Sequence, residues 1–530
     1  MMATPHDSAP DQARRSYEEG LARLSSGDRQ AARSAFTRAL ALDDSLAAAH
    51  YQLGNCLRLS GEESAAEQAL RHAISLDPGL ADAYFSLGFM LRDQGRVSEI
   101  DTLLIALANA RPEDAERIEQ AAGLLAEYGC IETALDLFER ALSQRPTLAR
   151  LHLRVGQMLQ NLGQFAQSSN ALETAIKCDP GFGPAYLLLA HTRKANRPDD
   201  ARLALCQSKL AEADLPDNTR ICLHFALGKL LDDLGDFSAA FRQFQAGNQL
   251  RRRQAGYDRA TWEQFFETQR QMPAPPTVPS RQTNPTPVFI IGMLRSGTTL
   301  VERMLSNHTS VYALGETEMV DRLAETLSQH AGIPYPLCLR RLTAEHLENL
   351  ADQYRARWPR EALKARYVLD KNPLNFMHLG FITQLFPDSH FIHCQRDARD
   401  TALSIYFQNF AHPRNAYAYD LDDIAHFYTG YRKLMARWHT LFAPRIHDVI
   451  YENVVANPER EMRKLTDTLE LAWEPGCASP QAGDNAISTA SVWQARQPVY
   501  RDSVGRWRNY ADQLAPFMAA IPPSARPLPG

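Results

Sequence analysis

The chain has 530 residues, of which 45% are hydrophobic and 22% are charged, and its formal net charge at pH 7 is −5. This length predicts three or four domains of average size, and this composition excludes a disordered or fibrous chain. So small a net charge gives no general electrostatic basis for binding nucleic acid or an anionic membrane, and neither partner is expected.

The cysteines and the first residues bear on the compartment. The eight cysteines are scattered and contain no C-x-x-C pair, and the first twelve residues are polar. Scattered cysteines favour reduced thiols over a disulfide framework or a zinc site. The sequence contains no signal-peptide pattern and no run of about 18 apolar residues. We therefore expect a cytoplasmic location.

The N-terminal half contains an internal repeat. Glycines recur every 34 residues at Gly27, Gly61, Gly95, Gly129 and Gly163, and prolines keep the same step at Pro78, Pro112, Pro146 and Pro180. Such a glycine ends one helix in a backbone conformation that few other residues accept, and such a proline ends the next helix. This period with these landmarks resembles the tetratricopeptide repeat, a helix-turn-helix unit.

The repeat array is expected over residues 13–256. Five clear repeats extend to about residue 181, a degenerate sixth follows, and Gly228 and Gly235 indicate a seventh. Stacked units of this kind form a superhelix with a concave face. The resemblance implies that a protein or peptide binds in that face. The alternative is that the repeats act as a scaffold for the rest of the chain or form a homodimer.

Residues 257–284 are expected to connect the array to a second domain. A helix is predicted over residues 262–271, and the stretch that follows it reads M-P-A-P-P-T-V-P-S. A segment so rich in proline predicts a semi-rigid linker.

The second domain, expected over residues 285–525, opens on V-F-I-I-G-M-L-R-S-G-T-T-L-V-E at residues 288–302. A short apolar strand, a loop bounded by glycines and a helix are the layout of a phosphate-binding loop. Gly292 and Gly297 have the Walker A spacing, but Thr298 stands where that motif needs lysine. We therefore predict a phosphate-binding loop that is not built for ATP hydrolysis. The alternative is an ordinary strand-to-helix turn.

Short apolar strands alternate with helices through the rest of the domain. The further strands are predicted at residues 311–314, 367–370, 390–394 and 448–451. This alternation predicts an α/β domain with a mainly parallel sheet. Polar motifs follow the strands: G-E at 315–316, D-K-N-P at 370–373, R-D-A-R-D at 396–400 and Y-E at 451–452. The ends of such strands are where an α/β sheet usually carries its chemistry.

These motifs, in this order, resemble the sulfotransferase family, in particular its tyrosylprotein branch and bacterial proteins that fuse tetratricopeptide repeats to such a domain. The resemblance covers residues 285–525. It implies a P-loop-like sulfotransferase fold and transfer of a sulfuryl group from 3′-phosphoadenosine 5′-phosphosulfate (PAPS) to an acceptor hydroxyl. It also implies adenosine 3′,5′-bisphosphate as the product and no metal. The implied acceptor is a protein or peptide, with tyrosine as one candidate.

The resemblance also assigns roles to individual residues. It implies nucleotide binding by Arg295, Ser296, Gly297, Thr298, Thr299, Arg396, Ser404, Tyr451, Arg501 and Arg506. In this set the 295–299 loop holds the 5′-phosphosulfate, whereas Arg396 and Ser404 bind the 3′-phosphate. It implies catalysis by Glu316 as the general base and by Lys371, with Arg295, as the cations at the leaving phosphate. The residue types agree with this chemistry, because a phenol with a pKa of about 10 needs a base at neutral pH.

Several alternatives stay open. Glu316 could cap the following helix and leave Glu318 as the acid-base group, or Lys371 could be a surface lysine. The family's small-molecule branch uses a histidine base, for which the candidates here are His308, His378 and His393. Arg399 could pair with Asp397 or Asp400 instead of touching nucleotide. The acceptor could instead be a carbohydrate or a small molecule, or the chain could be a non-catalytic scaffold with a degenerate nucleotide domain.

Overall fold

The structure is a computed structural model that describes residues 8–94, 96–275, 284–410, 412–480 and 502–522. The chain divides into two compact units, residues 1–147 and 148–530. Among the described residues, no helix combines the length and the apolar character that crossing a membrane requires.

The first unit is built from paired helices. Their bounds are α1 (Ala9–Ser25), α2 (Arg29–Leu42), α3 (Ala47–Leu59), α4 (Glu63–Leu76), α5 (Ala81–Asp93), α6 (Val97–Ala110), α7 (Ala115–Glu127) and α8 (Ile131–Gln144). A side chain at Gly20 in α1 would collide with the ring of Phe36 in α2. Gly27 between these helices has a φ of 83°, which an L residue rarely adopts. Small residues and turn glycines therefore produce the predicted helical pairs.

The second unit continues the array before the sheet begins. Its first helices are α9 (Ala149–Asn161), α10 (Phe165–Cys178), α11 (Gly183–Ala190), α12 (Ala201–Leu210), α13 (Asp217–Asp233), α14 (Phe237–Ala255) and α15 (Arg259–Gln271). α13 and α14 are the pair predicted around Gly228 and Gly235. Gly228 lies against the ring of Phe244, and Gly235 has a φ of 80°.

The strands and helices of the C-terminal part alternate along the chain. They are β1 (Thr286–Gly292), α16 (Thr298–Leu305), β2 (Val311–Ala313), α17 (Met319–Ala331), α18 (Ala344–Arg355), β3 (Tyr367–Lys371), α19 (Leu379–Leu385), β4 (His390–Gln395), α20 (Ala398–Tyr406), α21 (Leu421–Phe442), β5 (Ile446–Ile450), α22 (Tyr451–Ala456), α23 (Pro458–Thr468) and α24 (Ala515–Ala520). Tyr451 was expected at the end of the last strand, but it is the first residue of α22.

The five strands form one sheet in the order β2-β3-β1-β4-β5, and all of its strand pairs are parallel. β1 lies at the centre, and its side chains alternate between two apolar cores. Val288 and Ile290 pack into one core with α16 and α23, whereas Phe289 and Ile291 pack into the other with α21. An unbroken apolar strand is what a sheet covered on both faces requires. The predicted fold class, a helical repeat array followed by an α/β domain, is confirmed.

The last repeat and the helix after it pack directly on the sheet domain. Phe244 of α14 stacks on Phe407 with ring centroids 3.9 Å apart. Asn248 of the same helix donates a hydrogen bond to the carbonyl of Tyr406 at 2.8 Å. Phe266 of α15 fills the space above Gly430 of α21. These helices therefore share a hydrophobic core with the sheet. The boundaries at residues 256 and 285, which were drawn from sequence patterns, stay a prediction.

Candidate active site

The loop between β1 and α16 has the backbone of an anion-binding turn. Gly292 has a φ of 151° and Gly297 a φ of 98°, and Arg295 between them also has a positive φ, 67°. A side chain at Gly292 would collide with the carbonyl oxygen of Cys394, and one at Gly297 with the ring of Tyr451. Both glycines are therefore required by close packing at the ends of β4 and β5.

The loop is fixed from within and leads into a helix. The buried hydroxyl of Ser296 donates to the carbonyl oxygen of Met293 at 2.8 Å. Thr298 and Thr299 are the first two residues of α16. Backbone N–H groups at this position lack partners inside a helix and favour an anion. The arrangement suits the phosphate-binding role expected for residues 295–299.

Four of the residues expected to bind nucleotide are connected by a chain of contacts. Arg295 Nε donates to Ser404 Oγ in α20 at 3.0 Å. Arg396, immediately after β4, donates from Nη1 to the carbonyl oxygen of Arg295 at 3.1 Å. The Arg396 guanidinium also lies 4.8 Å from the ring centroid of Tyr451. The structure thus brings Arg295, Arg396, Ser404 and Tyr451 together, although the sequence places them up to about 150 residues apart.

A C-terminal segment, residues 502–510, lies against this cluster. Arg396 Nη2 donates to the carbonyl oxygen of Ser503 at 2.5 Å, and the hydroxyls of Tyr451 and Ser503 share a hydrogen bond of 2.7 Å. The carboxylate of Asp400 accepts the backbone N–H groups of Gly505 and Trp507 at 2.6 and 2.8 Å. Asp400 and Ser503 were not singled out from the sequence as parts of this site.

Two arginines near the C-terminus, Arg501 and Arg506, were expected to bind nucleotide. Arg506 pairs with Asp232 of α13, and its guanidinium lies over the ring of Phe407. Arg501 lies outside the described residues. Arg399 pairs with Asp397 at 2.6 Å, which is the structural role left open for it.

Glu316 and Lys371 form an ion pair at the ends of neighbouring strands. Lys371 Nζ donates to Glu316 Oε2 at 2.5 Å. The Lys371 side chain is 1% exposed, whereas that of Glu316 is 49% exposed. A lysine buried to this degree is not a surface residue. The alternative base, Glu318, lies 3.5 Å from Arg322 on the exposed side of α17. The geometry therefore favours Glu316 as the carboxylate that acts with the lysine.

A second carboxylate approaches the same lysine. Glu302 Oε2 of α16 lies 3.9 Å from Lys371 Nζ, and Glu302 Oε1 has no hydrogen-bond partner among the described residues. Burial raises the pKa of Glu302 to about 7, and the Lys371 ammonium opposes this shift. Sequence reasoning missed this residue. The available signal was a carboxylate on the apolar side of a short helix, between Val301 and Met304.

We expect Glu302→Gln to change the pH dependence of stability. The pKa of Glu302 rises from an ordinary 4.5 to about 7 on folding, so the folded protein binds this proton more tightly. The free energy of unfolding should therefore fall as the pH rises from 4.5 to about 7. Glu302→Gln has no carboxylate at this position, so its free energy of unfolding should not show this decrease. Above about pH 7 the variant should be more stable than the unmutated chain by about 3 kcal/mol.

Urea unfolding of the full chain at about pH 5 and about pH 8 measures this effect. Glu318→Gln is the matched control, because it makes the same substitution at an exposed glutamate. If the free energies of unfolding of Glu302→Gln and of the unmutated chain changed with pH in parallel, the raised pKa of Glu302 would be contradicted.

Behind the ion pair, a buried carboxylate fixes the strand ends. Asp370 accepts hydrogen bonds from Tyr354 Oη at 2.6 Å, Thr317 Oγ1 at 2.7 Å and Asn375 Nδ2 at 3.2 Å. Burial raises the pKa of Asp370 to about 6. Because Thr317 follows Glu316 and Asp370 precedes Lys371, these bonds hold the two strand ends side by side.

The three candidate histidines are engaged elsewhere. His308 bonds to the carbonyl of Ala472 at 2.7 Å, His378 to Asp321 at 2.9 Å and His393 to Asp448 at 2.7 Å. In the described part of the chain, none of them makes a hydrogen bond to Glu316 or Lys371. This geometry does not favour a histidine base.

Comparison with known families identifies the parts of the chain. Residues 287–475 match the sulfotransferase family, and residues 47–80 and 149–182 match the tetratricopeptide repeat. The chain joins tetratricopeptide repeats to a sulfotransferase-family domain. The resemblance stated from the motifs is thereby confirmed.

Two curated proteins are similar to parts of the chain. An uncharacterised protein of Aquifex aeolicus is 28% identical over 73% of this chain and 52% of its own length. The protein-tyrosine sulfotransferase of Drosophila melanogaster is 25% identical over 44% of this chain and 51% of its own length. The chain thus spans about half the length of these relatives.

A solved sulfotransferase domain from the Synechococcus PCC 7002 olefin synthase is also similar. It is 20% identical, with 46% of this chain and 100% of that domain covered, and the TM-score is 0.32.

Proposed function

We propose that the chain transfers the sulfuryl group of PAPS to a hydroxyl of a protein or peptide, with tyrosine as one acceptor. The observation that carries this proposal is the ion pair of the buried Lys371 with the half-exposed Glu316 at the sheet edge. It lies within a sulfotransferase-family domain whose phosphate-binding loop lacks the Walker lysine.

The nucleotide would be held by two groups of residues in contact with each other. The first group is the loop of Arg295, Ser296, Gly297, Thr298 and Thr299, which offers an arginine and a helix N-terminus to the phosphosulfate. The second is Arg396 with Ser404, which would take the 3′-phosphate. Ser404 accepts a hydrogen bond from Arg295, and Arg396 donates to the Arg295 carbonyl, so one arginine connects both groups.

The transfer step follows from the ion pair. The Glu316 carboxylate takes the proton of the acceptor hydroxyl, and the acceptor oxygen forms a bond to sulfur. The bond between sulfur and the bridging oxygen breaks, and its electron pair remains on adenosine 3′,5′-bisphosphate. The Lys371 ammonium stabilises the negative charge that develops on this oxygen, which is the kind of stabilisation that fixed cations provide in phosphoryl transfer.

A cavity that could bind the acceptor lies close to the Lys371–Glu316 pair. A cavity of about 400 Å³ between α15 and α17 is lined by residues that include Trp262, Phe265, Tyr335 and Asp321. Asp321 lies 3.4 Å from Asn372, the neighbour of Lys371. An aromatic cavity of this size could hold part of a peptide acceptor. Recruitment of that acceptor by the repeats is part of the same proposal.

The proposal is tested with the purified full-length chain. Calorimetry should show binding of adenosine 3′,5′-bisphosphate, and incubation with labelled PAPS and a cell lysate should transfer the label to protein. Mass spectrometry then identifies the modified residue. Absence of nucleotide binding would overturn the proposal, whereas label found only on carbohydrate or small molecules would overturn the protein acceptor.

A further inference from the structure

One carboxylate of the last repeat holds the C-terminal segment from outside the sheet domain. Asp232, near the end of α13, accepts hydrogen bonds from Arg506 Nη2 and from Tyr510 Oη, the latter at 2.6 Å. These two residues are the ends of a single 3-10 helix, Arg506–Tyr510. Asp232 therefore fixes both ends of this helix.

Other residues of the same segment contact the candidate nucleotide site. Ser503 is bonded to Arg396 and Tyr451, and the N–H groups of Gly505 and Trp507 are bonded to Asp400. A stretch of fewer than ten residues therefore contacts both the candidate nucleotide site and the last repeat.

The contacts of Asp232 lie in a packed, largely buried environment. The Asp232 side chain is 10% exposed. Tyr510 packs on Phe237 and Phe241 of α14, with ring centroids 5.3 and 6.2 Å apart. A buried carboxylate that loses a charged partner is destabilised, so Asp232 and Arg506 have little freedom to separate.

We propose that Asp232 is a positioning residue for nucleotide binding. It holds residues 502–510 against Arg396 and so makes the affinity for nucleotide depend on the last tetratricopeptide repeat. The proposal rests on the proposed function. Because such coupling is reciprocal, nucleotide binding should also stabilise the end of α13.

Asp233 offers a matched control on the same helix. It is equally buried, but its carboxylate pairs with Lys229 and accepts the N–H of Ala195 at 2.9 Å, both within the repeats. Asp232→Asn and Asp233→Asn should therefore destabilise the chain similarly, but only Asp232→Asn should alter the nucleotide site.

Calorimetry with adenosine 3′,5′-bisphosphate on full-length variants tests the proposal. We expect Asp232→Asn to bind about ten-fold more weakly, and Asp233→Asn to remain within about two-fold of the unmutated chain. Arg506→Gln and the double variant complete a cycle, in which adding Asp232→Asn to Arg506→Gln should weaken binding little further. Equal affinities for Asp232→Asn and Asp233→Asn would overturn the proposal.

Hydrogen exchange of the unmutated chain gives a test that needs no variant to fold. Saturating adenosine 3′,5′-bisphosphate should slow exchange in residues 502–510 and at the end of α13. Binding without slower exchange in α13 would overturn the positioning role and leave the proposed function intact. Absence of binding would overturn the proposed function, and the positioning role with it.

Discussion

Glu316→Gln should lower the turnover number by about a thousand-fold while the chain still binds adenosine 3′,5′-bisphosphate. Glutamine keeps the size of the side chain but cannot accept the acceptor's proton at neutral pH. Lys371 remains in place at the end of β3. Turnover of labelled PAPS measures the loss of catalysis, and calorimetry with adenosine 3′,5′-bisphosphate shows whether the nucleotide site is intact.

Glu318→Gln is the matched control for this experiment. Glu318 lies two residues further on, its side chain is 53% exposed, and it faces Arg322. Its turnover should stay within about two-fold of that of the unmutated chain. If Glu318→Gln lost activity and Glu316→Gln kept it, the assignment of the base would be reversed.

The second large effect is expected from Arg396→Ala, which should weaken binding of adenosine 3′,5′-bisphosphate by about a hundred-fold. The variant removes the cation expected at the 3′-phosphate. It also removes hydrogen bonds to the carbonyl oxygens of Arg295 and Ser503, so the loop and the C-terminal segment lose their common partner. Calorimetry on a variant with an unchanged circular dichroism spectrum measures the loss.

Two variants show which property of Arg396 matters. Arg396→Lys keeps the charge but cannot bond in two directions from one planar group, so its affinity should lie between those of the unmutated chain and Arg396→Ala. Arg432→Ala is the control, since Arg432 donates to Gln395 at the end of the same strand at 3.2 Å. If both alanine variants bound nucleotide equally well, Arg396 would have no special part in the site.

The parts of the site that were predictable from the sequence depend on local chemistry. Gly292 and Gly297 could be identified because a sharp turn between a strand and a helix needs positive φ values. The strands could be found because β1 faces a core on each side and is therefore apolar at every position from Val288 to Ile291. Their order in the sheet brings Lys371 beside Glu316, and short apolar runs do not encode that order.

The parts that were missed depend on long-range packing. Glu302 reads as an ordinary polar residue of a helix until the position of Lys371 is known. Asp232 and Arg506 are far apart in the chain, and no sequence pattern predicts that they form an ion pair. Nothing in the repeat pattern distinguishes Asp232 from Asp233, although, in the part of the chain that the structure describes, it is Asp232 that bonds to Arg506 and Tyr510.

The contacts of α13 and α14 with the sheet domain bear on where the chain can be truncated. The repeat pattern suggests deleting residues 1–256 to isolate the catalytic domain. Such a deletion removes α13 and α14, and with them Phe244, which stacks on Phe407, and Asp232, which holds Arg506. Loss of transfer in that truncated protein would not show that the repeats recruit the acceptor.

The packing of α14 against α20 also bears on how the array can vary among proteins of this kind. A 34-residue unit inserted or lost within residues 1–147 leaves every contact of α13 and α14 with the sheet domain in place. Replacement of α13 and α14 would have to be matched by new side chains opposite Tyr406, Phe407 and Arg506. The last repeat must therefore coevolve with the sheet domain, and chimeric proteins with exchanged arrays should keep α13 and α14 with the sheet domain that they contact.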